Sequence, residues 1–371
     1  MWLPLLLSLT VAAPLESAPR DATRSAPASA LDFPVADEEL LGHVFFLSHD
    51  RLQGRDLGSA EDRIAATYIE AEFRKLGLEP GGPDGEFEQR FQIFRSVEID
   101  GKVAGIEERW TSNVIAILRG ADPGLAEEHI VIGAHYDHIG TRTTESGKTL
   151  IYNGADDNAS GVAGLLGLAK ALRSRENRPH RTIVFVAFGA EEIGLQGARR
   201  YVAQPSLPLD RLTAMINLDM IGRGRFLDQK RMQLAKQAMG MPDRGVGLLG
   251  GHSARLMALA KQACAAESLA SYAPEDFTLV RKFIERAAAG REDSAAFRAK
   301  GLPTIFLTTS ESDDYHQPTD TIDKIDGETI RIIARAVLRL IDAIDALPAG
   351  ESLRDEPPTE LPPAGERRGG R

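Results

Sequence analysis

The chain has 371 residues, 43% hydrophobic and 26% charged, enough to bury one large α/β core or two smaller ones. A formal net charge of -10, with Lys and Arg scattered rather than clustered, excludes nucleic acid and an anionic membrane surface as electrostatic partners. Cys264 is the only cysteine, so no intrachain disulfide can form.

Met1 to Ala13 (MWLPLLLSLTVAA) is an apolar run too short to span a bilayer, followed by Pro-, Ser- and Ala-rich sequence to Ala30. It fits the apolar region of a secretory signal, so residues 1–30 are expected to be a signal peptide and flexible leader. A periplasmic or secreted location and no stable membrane association follow. Residues 31–348 are expected to form one globular domain. The Pro-, Gly- and charge-rich residues 349–371 are expected to be a disordered tail.

Within the domain, Ser59 to Leu76 reads as a helix. Ser59 with Asp62 resembles a capping box, Ala65, Ile69, Phe73 and Leu76 keep a helical stripe, and Gly77 ends it. Short β-branched runs at Asn113–Leu118 and Ile130–Ala134 read as strands, and Gly161–Leu172 as an apolar helix. Thr182–Phe188 reads as a buried strand, Leu195–Val202 as a short helix and Thr213–Leu218 as a strand. Ala254–Ala266 and Glu328–Leu347 read as helices on either side of a strand at Thr304–Thr308. Continuous apolar strands alternating with helices predict a single α/β domain, a mixed and mainly parallel sheet with helices on both faces. Ligands of such sheets collect at the carboxyl ends of the strands.

Five runs place metal-binding side chains near those ends. They are His135-Tyr136-Asp137-His138, Gly154 to Gly161 (GADDNASG), Gly189-Ala190-Glu191-Glu192, Asn217-Leu218-Asp219-Met220, and Asp314 to Pro318 (DYHQP). Taken singly, each has a plain structural explanation: a bonded histidine, a helix cap, a solvated acidic turn. Asp219 is harder to dismiss, because a carboxylate after an apolar strand is costly without a partner. Imidazoles and carboxylates together are the ligand set of a hydrolytic two-metal site.

From about Ala36 to Leu347, including Leu52-Gln53-Gly54-Arg55 and the order and spacing of all five runs, the chain resembles the co-catalytic di-zinc aminopeptidases. Wider relatives of that family include glutamate carboxypeptidases, glutaminyl cyclases and the transferrin receptor. The resemblance implies two zinc ions held by His135, Asp157, Glu192, Asp219 and His316. Asp157 would bridge them, Glu192 completing the ion held by His135 and Asp219 the ion held by His316. It implies Glu191 as general base, Tyr315 as stabiliser of the oxyanion, and Asp137 as the carboxylate orienting His135. The implied substrates are peptides with a free N-terminus. His138 is expected to be a neighbour of the site without a ligand's role. Glu292-Asp293-Ser294 stands where relatives commonly carry Ser-Asp-His. Two readings compete: a glutaminyl cyclase with one zinc, and a non-catalytic binding module. The complete ligand set and the retained Glu191 count against both.

Overall fold

The computed structural model describes residues 33–99, 102–230, 233, 236–237, 240–276 and 291–355. The expected leader, residues 1–30, lies outside them. The chain starts with α1 (Asp37–Leu47), whose first turn carries Asp37, Glu38 and Glu39 where the helix dipole favours negative charge. In α2 (Ala60–Lys75) the Ser59 hydroxyl accepts the Asp62 N–H at 3.0 Å, as the sequence predicts. The reciprocal half of the box is missing. Asp62 turns its carboxylate to the Gly58 N–H and the Thr111 hydroxyl instead.

After β1 (Glu79–Pro80) come β2 (Glu88–Ile99) and β3 (Lys102–Leu118), a long antiparallel hairpin. Then follow β4 (His129–His135), a small pair β5 (Thr141–Thr143) and β6 (Thr149–Ile151), and α3 (Gly161–Ser174). Next are β7 (Thr182–Phe188), α4 (Gln196–Ala203), β8 (Leu212–Leu218), β9 (Val246–Gly251) and α5 (Ala254–Ala266). The last are β10 (Ser271–Tyr272), α6 (Ser294–Arg298), β11 (Thr304–Thr308) and α7 (Gly327–Asp345).

Among the described residues the main sheet has nine strands, in the order β1-β3-β7-β4-β8-β11-β9-β10 with β2 beside β3. Its centre, β7-β4-β8-β11, is wholly parallel, and antiparallel pairs flank it. Every residue of those four central strands is buried, which is why they read as unbroken apolar runs rather than alternating ones. One face packs Val131, Val186, Phe188 and Met215 against Tyr201 of α4 and Phe297 of α6. The other covers Phe185 with Phe73 of α2, ring centroids 6.1 Å apart. The register sets His135 opposite Phe188, Gly133 opposite Asn217 and Leu218 opposite Leu307, so the chain leaves all four strands along one edge.

Part of the stretch expected to be a tail, residues 349–371, packs on the domain. Buried Arg181 donates to the carbonyls of Ile344, Asp345, Leu347 and Pro348. Beyond it Leu353 is 2% exposed, and the Asp355 carboxylate accepts the Ala254 N–H at 2.9 Å at the start of α5. Residues 349–355 therefore pack on the domain, and 356–371 lie outside the described residues. Among the described residues no helix is long and apolar enough to cross a membrane.

Candidate metal centre

Four of the five runs lie at or beyond the ends of β4, β7, β8 and β11, and the fifth, which carries Asp157, is the turn that opens α3. His135 is the last residue of β4, and Asp219 follows β8 with its N–H bonded to the Leu307 carbonyl at 3.2 Å. Glu191 and Glu192 sit in the turn between β7 and α4. That turn closes tightly because Gly197 lets α4 approach it; a Cβ there would lie 2.1 Å from the Gly189 carbonyl oxygen.

Two buried groups hold the loops against one another. The guanidinium of Arg55 donates to the carbonyls of Tyr136 at 2.6 Å, Asn153 at 2.7 Å and Gly154 at 3.0 Å, tying the His135 loop to the Asp157 loop. The Asp320 carboxylate accepts the backbone N–H groups of Asp156 and Asp157, and Arg223 pairs with both Asp320 and Asp314. Asp156 faces away from the centre, accepting the Gly222 N–H at 2.8 Å.

The result is two clusters that meet at one residue. In the first, His135 Nε2 lies 3.2 Å from Asp157 Oδ1 and 3.5 Å from Asp219 Oδ1. In the second, His316 Nε2 lies 3.2 Å from Asp157 Oδ2 and 3.1 Å from Glu192 Oε2. The two oxygens of Asp157 face opposite clusters, the disposition expected of a bridge. The remaining carboxylates are shared out the other way from the expectation: Asp219 stands with His135 and Glu192 with His316. Strand order does not decide this, since β4 neighbours both β7 and β8. The Glu192 side chain is instead drawn to the second cluster by His138 Nδ1, 2.8 Å from its Oε1.

Two further residues depart from the expected picture. His138 belongs to the second cluster, its Nδ1 2.8 Å from Glu192 Oε1 and 3.8 Å from Asp157 Oδ2. Asp137 orients His135 through its backbone carbonyl, 3.2 Å from Nδ1, while its carboxylate lies 3.8 Å away. That carboxylate instead accepts the N–H groups of Glu191 at 3.0 Å and Glu192 at 3.3 Å, fixing the acidic turn. Tyr315 stacks on His316 with centroids 3.9 Å apart. His316 is 33% exposed while His135 is 1% exposed, so the centre opens on the His316 side.

The two adjacent glutamates are electrostatically unlike. Burial, with Asp293 and Asp219 adding, pushes the Glu191 carboxyl well above its usual range. Burial acts on Glu192 too, but the imidazoles of His138 and His316 beside it leave it below the ordinary value. Burial also pushes Asp219 up to about 6, whereas the adjacent imidazoles of His135 and His316 outweigh it at Asp157 and hold that group well below the carboxylate range. At the Glu292-Asp293-Ser294 departure, Asp293 is fully buried with both oxygens lacking a hydrogen-bond partner. Nothing in the sequence pattern singles out Asp320 or Arg223, since single charged residues in polar loops are usually solvated.

Relatives bear the same chemistry in their names. A probable leucine aminopeptidase of Arthroderma otae is 28% identical over 240 residues, 61% of this chain and 57% of that protein. A probable zinc metalloprotease of Pyrenophora teres f. teres is 37% identical over 219 residues, 53% of this chain and 44% of that one. The chain thus spans about half the length of these curated relatives. BSAP, a zinc aminopeptidase from Bacillus subtilis, shares the fold with a TM-score of 0.61 at 16% identity, over 88% of this chain and 99% of that one. The model of peptidase family M28 matches residues 113–341, a span that holds both clusters and all four central strands, and this chain belongs to that family.

Proposed function

We propose that the chain is a zinc aminopeptidase that removes N-terminal residues from peptides. The observation that carries the proposal is the pair of clusters sharing Asp157, with Glu191 set 4.0 Å from His135 Nε2. The donors suit zinc. Imidazole and carboxylate are its usual nitrogen and oxygen ligands, and Asp157 Oδ2, Asp219 Oδ1 and His316 Nε2 are buried without a hydrogen-bond partner. His135, Asp157 and Asp219 would hold one ion, and His316, Asp157 and Glu192 the other. When bound, the ions supply Lewis acidity toward a water and the substrate carbonyl.

The rest of the chemistry falls to the chain. Glu191 takes a proton from the attacking water and delivers it to the leaving amine. Its raised affinity for a proton suits both tasks, since a general base works best with a pKa near the operating pH. Asp137 keeps Glu191 and Glu192 pointed apart, so that one carboxylate is free while its neighbour is engaged. The Tyr315 hydroxyl donates to the carbonyl oxygen as that atom gains charge, the role of an oxyanion-hole donor. Export from the cytoplasm is part of the proposal, supported by the apolar run Met1–Ala13.

A zinc count by atomic emission, paired with a panel of aminoacyl chromogenic substrates, tests the reading. Two zinc ions per chain and hydrolysis are expected. A single zinc with cyclisation of N-terminal glutamine, or no turnover at all, would overturn it.

A further inference from the structure

We propose that a pocket beside α4 is an anion site that takes carboxylate-bearing peptide segments. The pocket is an open groove of about 440 Å³, a volume within the usual range of small-ligand sites. It lies between the β2–β3 hairpin and α4, walled by Arg90, Gln92, Trp110, Gln196, Arg199 and Arg200 over a floor of Phe91. Three guanidinium groups and no carboxylate line it, in a chain of net charge -10.

Several arginines elsewhere are neutralised by a carboxylate. Arg74, Arg109, Arg119, Arg175, Arg181 and Arg298 each pair with an Asp or Glu. In the pocket only Arg90 has such a partner, Glu88 at 3.2 Å. Arg199 and Arg200 have none among the described residues, and the Nε of Arg200 is buried without a hydrogen bond. Adjacent like charges repel, and a buried N–H left unmade costs stability. A bound anion removes both penalties.

The class of anion follows from the walls. Arginine presents a planar fork that matches a carboxylate through two parallel hydrogen bonds. Trp110, 55% exposed, gives a flat apolar face for an adjoining side chain or backbone. Gln92 and Gln196 supply both donors and acceptors for a peptide backbone. That the carboxylate arrives on a peptide rests on the aminopeptidase reading; the anion site itself does not. The pocket also shares structure with the centre, since its floor Phe91 packs in one cluster with Ala190, the residue before Glu191.

Calorimetric titration of the full chain at low salt tests this, with acetyl-Glu-Glu-Glu, acetyl-Gln-Gln-Gln and inorganic phosphate as separate probes. The blocked N-terminus keeps the peptides from being cleaved as aminopeptidase substrates. The glutamate peptide is expected to saturate one site and the glutamine peptide to show no binding. R199A/R200A should weaken the glutamate peptide by roughly tenfold or more. Should that variant fail to fold, Arg199→Glu, at an exposed position, is expected to weaken binding as strongly. In a Trp2→Phe background the emission of Trp110 should change on saturation. No binding to the unmodified chain, or equal binding to R199A/R200A, overturns the site. Phosphate binding as tight as the glutamate peptide overturns the peptide assignment. Turnover of an uncharged aminoacyl substrate, run in parallel, reports on the aminopeptidase reading separately.

Discussion

Glu191 and Glu192 are chemically identical and adjacent, yet the fold assigns them opposite tendencies. Glu191→Gln is expected to retain two zinc ions and to slow hydrolysis by roughly 10²–10⁴-fold, the usual contribution of general acid–base catalysis. Zinc analysis beside kcat on one substrate checks this, and turnover within a few-fold of the unmodified protein would remove Glu191 from its role. Asp157 supplies an oxygen to each cluster, so Asp157→Ala should lose zinc from both. Emission spectroscopy that still counted two tightly held ions would sink the bridge. The five residues that the family resemblance implies as ligands all lie in the two clusters, and His138, read as a bystander, joins them. Their partition was not legible, because which carboxylate joins which imidazole depends on how the loops beyond the strands turn, and spacing along the chain does not encode that.

At the scale of elements, helices and buried strands were the readable part. The strand Thr182–Phe188 and the helix Ala254–Ala266 match the expectation residue for residue, since period and β-branching there agree with tertiary burial. Helix α1 escaped notice, because its apolar residues Leu40, Val44 and Leu47 follow a run of acids that reads as a solvated loop. The outer hairpin and β9 escaped it too, their glycines and charges hiding strand character that pairing supplies. The half-formed capping box at α2 has a measurable effect. Burial, with the Asp137 charge adding, pushes the Asp62 carboxyl up to about 7. An unfolded aspartate titrates near about 3.9, so the folded state binds the proton more tightly. Its contribution to stability is therefore full below about pH 4 and is lost as pH rises through about 7. The protein is expected to lose on the order of 2 kcal/mol between about pH 5 and about pH 8 from this group. Asp62→Asn should flatten that decline, and urea midpoints at the two pH values will show whether it does.

For the whole molecule, the centre sets carboxylates close together at one sheet edge, and cations are what reconcile them. Chelation should lower Tm, because an ion bound only by the folded state adds about 4 kcal/mol at a thousandfold excess over its Kd. Scanning calorimetry with and without chelator measures this; an unchanged Tm would mean the site carries no such metal. The mature protein is expected to start between Pro14 and Ala30 and to lie outside the cytoplasm, which N-terminal sequencing of native material decides. Met1 recovered at the terminus would refute export.

The β2–β3 hairpin adds a different kind of consequence. Strand β3 pairs with β7 only from Val114 onward, so within the sheet its earlier residues pair with β2 alone. Extra sequence spliced between Ile99 and Lys102 would enter and leave through paired strands without disturbing β4, β7, β8 or β11. The architecture thus offers a port where a guest domain can be grafted while the metal-binding edge keeps its form.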